Sequence, residues 1–320
     1  MSGGGHVVAL CGGVGGAKLA FGLARTLAPD ALSLVVNVGD DFEHLGLHVS
    51  PDIDTVVYTL SGLSDQVRGW GLAGETWSFM AALKRLGGPE WFNLGDHDLA
   101  MHVERTRRLR AGETLTQVTR ALAGALGIDH PILPVTDQPL RTHVVTSDGE
   151  LAFQEYFVRE RCQPVARAIR FAGAETARPS AAVAELFARR DVAAVILCPS
   201  NPYLSIDPIL AVPGVREGLV ALGAPVAAVS PIVGGQALKG PAAKLMTELG
   251  ARPSALSVAR HYRGLLNGLI IDAVDAAEAE AVEREGLRPL VTGTVMQNDQ
   301  DRIRLAQEAL AFTRGLKARS

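Results

Sequence analysis

The stretch "HVVALCGGVGGAKLAFGLARTLA", residues 6–28, decides how the rest of the chain is read. An apolar run of strand length meets four glycines and then a text with apolar residues three and four apart, so it reads strand, tight loop, helix. The same rhythm returns. "LSLVVNV" (32–38), "VAAVILCP" (192–199), "PVAAVSP" (225–231) and "NGLIIDA" (267–273) are continuous apolar runs, as strands covered on both faces require. A further strand is expected near 288–291 and a closing helix from about 299 to 316. Strand–loop–helix repetition with buried strands predicts an α/β fold, a doubly wound, mostly parallel, Rossmann-like sheet. Residues 70–128 interrupt the rhythm with helical text and read as an insertion. "THVVTS" and "LAFQEYFV" around "DGE" read as a short β-hairpin at about 140–160. No proline- or serine-rich tether divides the 320 residues, so a single domain with these insertions is expected.

Composition narrows the function. With 48% hydrophobic and 20% charged residues the chain is of globular type, and a formal charge of -3 gives no basic field for a nucleic acid or a membrane. The basic run "ERTRRLRAG" (104–112) reads as a solvated helix face or a phosphate-facing edge. Cys11, Cys162 and Cys198 lie far apart without metal-site spacing, and Cys11 and Cys198, which end apolar runs, read as small buried residues in a reducing compartment. No leader-type segment opens the chain and no apolar run nears the ~20 residues of a membrane span, so a cytoplasmic protein is expected.

Ligands of open α/β sheets bind beyond the carboxyl ends of the strands, and three loops fall there. Gly12, Gly13, Gly15 and Gly16, followed by Lys18, suit a phosphate or a tight turn. The dinucleotide fingerprint fails because Lys18 stands where its third glycine belongs, which disfavours an NAD-dependent enzyme. The P-loop pattern fails at Ala17 and Leu19. Ser200 and Asn201 follow a buried strand and offer short polar groups to a nucleotide, or cap a turn. Lys239 and Lys244 flank a third glycine loop and are candidates to neutralise phosphates.

At the same edge Asp40, Asp41, Glu43, Asp52 and Asp54 crowd into fifteen residues with no Lys or Arg beside them in sequence. Such a cluster repels itself unless a cation sits within it. Oxygen ligands without His or Cys suit Mg²⁺, held by carboxylates and substrate phosphates. Asp40 is the first candidate, Asp54 the second and Asp41 the third. Asp52 or Asp54 could instead cap the helix that starts at Pro51, and Glu43 is expected to be exposed.

These residues carry a resemblance. "GGVGGAKLAFGL", "VVNVGDDFEHLGLHVSPDIDTVVYTL", "WGLAGETW", "LGDHDLAMHVERTRRLRAG", "FQEYFV", "PSNPYLSIDPIL" and "SPIVGGQALKGPAAKLM" occur in that order. They resemble the 2-phospho-L-lactate transferase family of deazaflavin coenzyme F420 biosynthesis, over about residues 6–272. The resemblance implies a Mg²⁺-dependent transfer of a phospho-three-carbon acid (phospholactate, phosphoenolpyruvate or phosphoglycerate) from a guanosine diphosphate donor to the ribityl hydroxyl of the deazaflavin FO, releasing GMP. It implies that Asp52 and the residue at position 97 contact FO. Here that position is His97 where the family carries a permanent cation, Ser50 replaces a cysteine and Met101 a threonine. With this reading Gly12, Gly13, Gly15, Gly16, Lys18, Ser200, Asn201 and Lys239 hold the donor. Asp40 and Asp54 hold the metal, and Asp52 or Asp54 takes the hydroxyl proton. A homodimer is one way to cover an apolar face of the helical insertion. The alternative is a non-catalytic UDP-sugar-binding regulatory protein with the same glycine loop and sheet.

Overall fold

The computed structural model describes residues 5–318. Seven strands form the central sheet: β1 (His6–Cys11), β2 (Leu32–Val36), β5 (Ile132–Pro134), β9 (Val192–Leu197), β10 (Val226–Val229), β13 (Gly268–Asp272) and β14 (Arg288–Thr292). Their order is β14-β13-β10-β9-β1-β2-β5, and every neighbouring pair is parallel. The four other apolar runs and the strand expected near 288–291 therefore form one sheet with the first run. Each of the five apolar runs is buried almost throughout because helices lie on both faces and leave no strand face for water.

The direction of winding reverses between β1 and β9. From β1 the chain runs outward to β2 and β5. From β9 it runs the other way to β10, β13 and β14. The two loops that leave the sheet at that point, after Cys11 and after Leu197, diverge to opposite sides and open a crevice between them.

Helix α1 (Gly13–Thr26) packs against α2 (Pro51–Leu60) and against the C-terminal helix Asp299–Arg314. The second contact is backbone to backbone: a Cβ on Gly22 would collide with the carbonyl of Arg302 and touch the Ala306 side chain. The region 70–128 carries three helices, α3 (Ser78–Arg85), α4 (Asp96–Arg110) and α5 (Leu115–Ala125). Ahead of it a two-stranded ribbon, β3 (Phe42–His44) and β4 (Leu47–Val49), rises from the acidic stretch.

The hairpin expected near 140–160 forms from β6 (Arg141–Thr146) and β7 (Gly149–Ala152), and β8 (Ala166–Ala172) adds a third strand beside β6. Its second strand is shorter than the text "LAFQEYFV" predicts. From Glu155 to Arg159 the backbone coils into a wide helical turn. Phe153 and Tyr156, three apart, thereby both point into a second core with Val144, Ala166, Leu204 and Leu245, which alternation could not achieve. Among the described residues no helix is long and apolar enough to cross a membrane. Cys11 and Cys198 are buried and Cys162 is half-buried, all three as free thiols.

Replacing Gly22 by alanine is expected to cost about 1–3 kcal/mol, since two backbones must separate. Urea unfolding checks this. A midpoint equal to that of the parent protein would mean that the two helices are not held in close contact.

Candidate functional site

A cavity of about 830 Å³ lies beyond the carboxyl ends of the strands, within the range of sites for small organic ligands. Its floor is the glycine loop. β1 runs through Gly12 into Gly13, whose φ of +63° suits a residue without Cβ, and α1 begins there without a side-chain cap. The Gly12 N–H donates to Ser200 Oγ (3.3 Å) and the Gly13 N–H to Asp52 Oδ1 (2.7 Å). Side chains at Gly12, Gly15 and Gly16 would collide with the Asp52 carboxylate, the Pro199 carbonyl and the Ser200 hydroxyl respectively. Three of the four glycines therefore let the start of α1 close on the protein's own groups. Gly12, Gly13 and Gly15 still line the cavity; Gly16 is packed beneath it.

Of the five clustered acids, Glu43 is exposed, as expected, whereas Asp40, Asp41, Asp52 and Asp54 are each at most 6% exposed. Asp40, Asp52 and Asp54 line the cavity; Asp41 stands behind them. Asp52 does not cap its helix. Its second oxygen accepts from Asn37 Nδ2 (2.9 Å), and the same amide nitrogen donates to the Leu204 carbonyl (3.1 Å). Burial pushes the Asp52 carboxyl up to about 6, with the two hydrogen bonds pulling the other way. Asp41 accepts from Ser50 Oγ (2.8 Å) and His48 Nε2 (3.0 Å) on one oxygen. The other oxygen of Asp41 and one of Asp40 are buried without a hydrogen-bond partner. Burial, and after it the neighbouring Asp52 charge, push Asp40 well above the ordinary carboxylate range. Orphaned hard oxygens and uncompensated negative charge at the cavity wall fit a divalent cation of the Mg²⁺ type.

Asp54 has another partner. Arg105, on α4 and 51 residues away, clasps both its oxygens, with Nη1 at 3.1 Å from Oδ2 and Nη2 on Oδ1. Arg105 is 1% exposed, so the run read as a solvated face is not uniformly so: Arg107 and Arg108 pair outward with Glu104 and Glu113, while Arg105 turns inward. His102 lies 3.2 Å from the same guanidinium and 3.3 Å from Asp98, which accepts from the Tyr58 hydroxyl. Asp54, Asp98 and His102 also have the spacing of a metal-binding group, but Arg105 already supplies a cation among them. Asn37, Tyr58, Asp98, His102 and Arg105 escaped the sequence reading. The signal was the spacing 98, 102, 105, which puts three polar side chains on one face of α4.

The remaining candidates divide. Ser200 and Asn201 line the cavity, and Asn201 also caps the following turn through the Tyr203 N–H (3.0 Å). Lys18 donates to the Met296 carbonyl (2.8 Å), and both Lys18 and Lys239 face the cavity. Lys244 instead serves the structure, bonded to Tyr156, the Pro164 carbonyl and Glu248. His97 lies outside the cavity lining with its side chain 66% exposed, 3.8 Å from Glu75. The cavity lining also includes aromatic rings, those of Trp70, Phe92, Phe153 and Phe157.

The crevice at the switch point is thus lined by both carboxylates and aromatic rings. The profile of the family described as 2-phospho-L-lactate transferase CofD matches residues 7–310. The chain belongs to this family. A phosphoenolpyruvate transferase of Streptomyces griseus is 42% identical over 320 residues, covering 98% of this chain and all of that one. The phosphoenolpyruvate transferase of Kitasatospora aureofaciens is 41% identical over 314 residues (96% and 97% covered), and that of Mycobacterium tuberculosis 40% identical over 311 (89% and 93%). A solved structure of a member of the UPF0052 family from Bacillus halodurans superposes with a TM-score of 0.61 over 97% of this chain and all of that one, at 14% identity, and so shares the fold. Every residue of the cavity named above lies within the matched family span.

Two predictions follow from the acids. The Asp40 and Asp52 carboxyls bind protons more tightly folded than unfolded, so metal-free protein should lose stability as pH rises from about 4 through 6. Asp52 alone accounts for on the order of 3 kcal/mol of that loss. Urea midpoints at pH 5 and pH 7.5 should show the fall, smaller in Asp40→Asn and partly reversed by Mg²⁺. A flat or rising profile would mean that the acids are not strained. For the buried pair, Arg105→Met should destabilise by about 3–5 kcal/mol by stranding Asp54, and Arg105→Met with Asp54→Asn by much less. Equal losses in the single and double variants would deny the pairing.

Proposed function

We propose that this protein transfers the phosphoenolpyruvyl group from its guanosine diphosphate carrier to the terminal ribityl hydroxyl of FO, releasing GMP, in coenzyme F420 biosynthesis. The carrying observation is the acidic wall. Asp40 and Asp52 face a cavity of substrate size, burial pushes both carboxyls up, and one oxygen of Asp40 has no partner, in a chain of the 2-phospho-L-lactate transferase family. The choice of the enolpyruvyl acid over lactyl or glyceryl rests on the names of the relatives at 40–42% identity.

In this reading the hydroxyl oxygen of FO attacks the phosphorus that bears the acid. The bond from that phosphorus to the bridging oxygen breaks, and GMP departs with the oxygen. The hydroxyl proton passes to Asp52, whose pKa of about 6 leaves it ionised at neutral pH yet basic enough to act. Mg²⁺ would supply charge neutralisation on the diphosphate, and Asp40 is the residue we assign to hold it. Asp54, whose charge Arg105 already offsets, has only its remaining lone pairs to offer. The guanosine diphosphate lies along Gly13, Gly15, Ser200 and Asn201. The deazaflavin plane stacks on Phe92, Phe153 and Phe157. His97 reaches FO only if the α4 start moves, because it faces solvent here.

The test supplies purified protein with Mg²⁺, FO and, in separate reactions, the enolpyruvyl, lactyl and glyceryl guanosine diphosphates, and follows the FO adduct by mass spectrometry. The enolpyruvyl adduct is expected, with Asp40→Asn slower by roughly a hundredfold or more at unchanged fold. Tight binding of a uridine nucleotide with no adduct from any donor would favour the regulatory alternative instead.

A further inference from the structure

Beside the main cavity, and sharing nine lining residues with it, Lys18, Thr55, Tyr58 and Lys239 among them, lies a recess of about 130 Å³. A cavity of about 150 Å³ holds benzene, a molecule of six heavy atoms; this recess is too small for a nucleoside or a deazaflavin and of the right order for a fragment of five or six atoms. Its walls are cationic. Lys18, Lys239 and Arg302 all line it. Arg302 is already engaged, with Nη1 3.0 Å from Asp299 and Nη2 2.8 Å from Gln66. The acid on the wall, Asp65, is engaged too, accepting from Arg68 (2.9 Å) and from the N–H groups of Val67 and Arg68.

The two lysines are different. Ion pairs of lysine among the described residues are Lys84 with Glu90 and Lys244 with Glu248; neither Lys18 nor Lys239 has a carboxylate. Lys18 spends one proton on the Met296 carbonyl. Lys239 is laid over Gly69, where any side chain would strike its ammonium group. Burial, followed by the charges of Arg302 and Lys239, lowers the Lys18 pKa, as expected where three cationic side chains gather in one recess. It opens beside α2, whose Thr55 and Tyr58 line it and whose Asp52 and Asp54 line the main cavity. One cavity thus has a negative wall, suited to a metal-bound diphosphate, and a positive side branch.

We propose that this recess takes the carboxylated three-carbon end of the donor, with the carboxylate held by Lys18 and Lys239. The assignment rests on the transferase reading above and deepens it, because it says which residues recognise the acid apart from its phosphates. A side branch of fixed size next to two ammonium groups selects for a short acid and against a neutral alcohol of equal length.

The experiment is a titration calorimetry cycle on the full chain with Mg²⁺. It compares enolpyruvyl-diphosphoguanosine with the same nucleotide bearing a carboxamide in place of the carboxylate. The parent protein should prefer the carboxylate, and Lys239→Ala should erase roughly tenfold of that preference while binding the carboxamide unchanged. Lys18→Met should do the same, and Lys239→Arg should keep the preference. If both nucleotides weaken equally in Lys239→Ala, the lysines hold the diphosphate and the proposal is wrong. An undiminished preference with undiminished affinity would equally overturn it. Should the parent protein bind neither guanosine nucleotide, the transferase reading itself fails, and this assignment falls with it.

Discussion

The carboxylate of Asp52 is the joint on which the site depends. One oxygen takes the N–H of Gly13, where β1 turns into α1, and the other takes the amide of Asn37, just past β2. That amide also reaches the Leu204 carbonyl in the loop after β9. Three strand ends and the first turn of α2 are therefore tied together through two side chains. The glycines at 12, 15 and 16 are the steric condition for the joint, since any larger residue would push α1 away from Asp52 or from the Pro199–Ser200 turn. A buried amide and carboxylate matched in this way hold their geometry because an unpaired polar group there would cost more than the pair.

Around that joint the protein accepts electrostatic strain. Four carboxylates are buried within fifteen residues, and only Asp54 receives a full countercharge, from Arg105. Asp40 and part of Asp41 are left with unpartnered oxygens, which lowers stability at neutral pH. The strain concentrates where a cation and the phosphates of a substrate would relieve it, while Lys18 and Lys239, which line the same cavity, form no ion pair with the acids. Separation of the two signs keeps both available to ligands.

Much of the architecture was legible because its physics is local. Continuous apolar runs must be buried on both faces, a parallel sheet is the way to do that, and loops after such strands gather at one edge. For that reason Asp40, Asp52, Gly12, Gly13, Gly15, Ser200 and Lys239 could all be assigned to one place from the text. The hairpin was harder, since "LAFQEYFV" alternates like a strand until a second core captures Phe153 and Tyr156 on one side of a coil. His97 was placed by resemblance to a motif, and motif text does not say which way a helix is turned.

The sequence alone determined that this chain is a parallel α/β protein with an acidic, glycine-rich edge, because hydrophobic periodicity and glycine placement act over a few residues. Tertiary structure decided which charges stand alone. Arg105 answers Asp54 across 51 residues, Lys244 turns into a structural network, and Lys18 and Lys239 are left facing a recess. Pairing of charge depends on distances that only packing sets, and a Coulomb interaction inside a protein is governed by neighbours in space rather than in the chain.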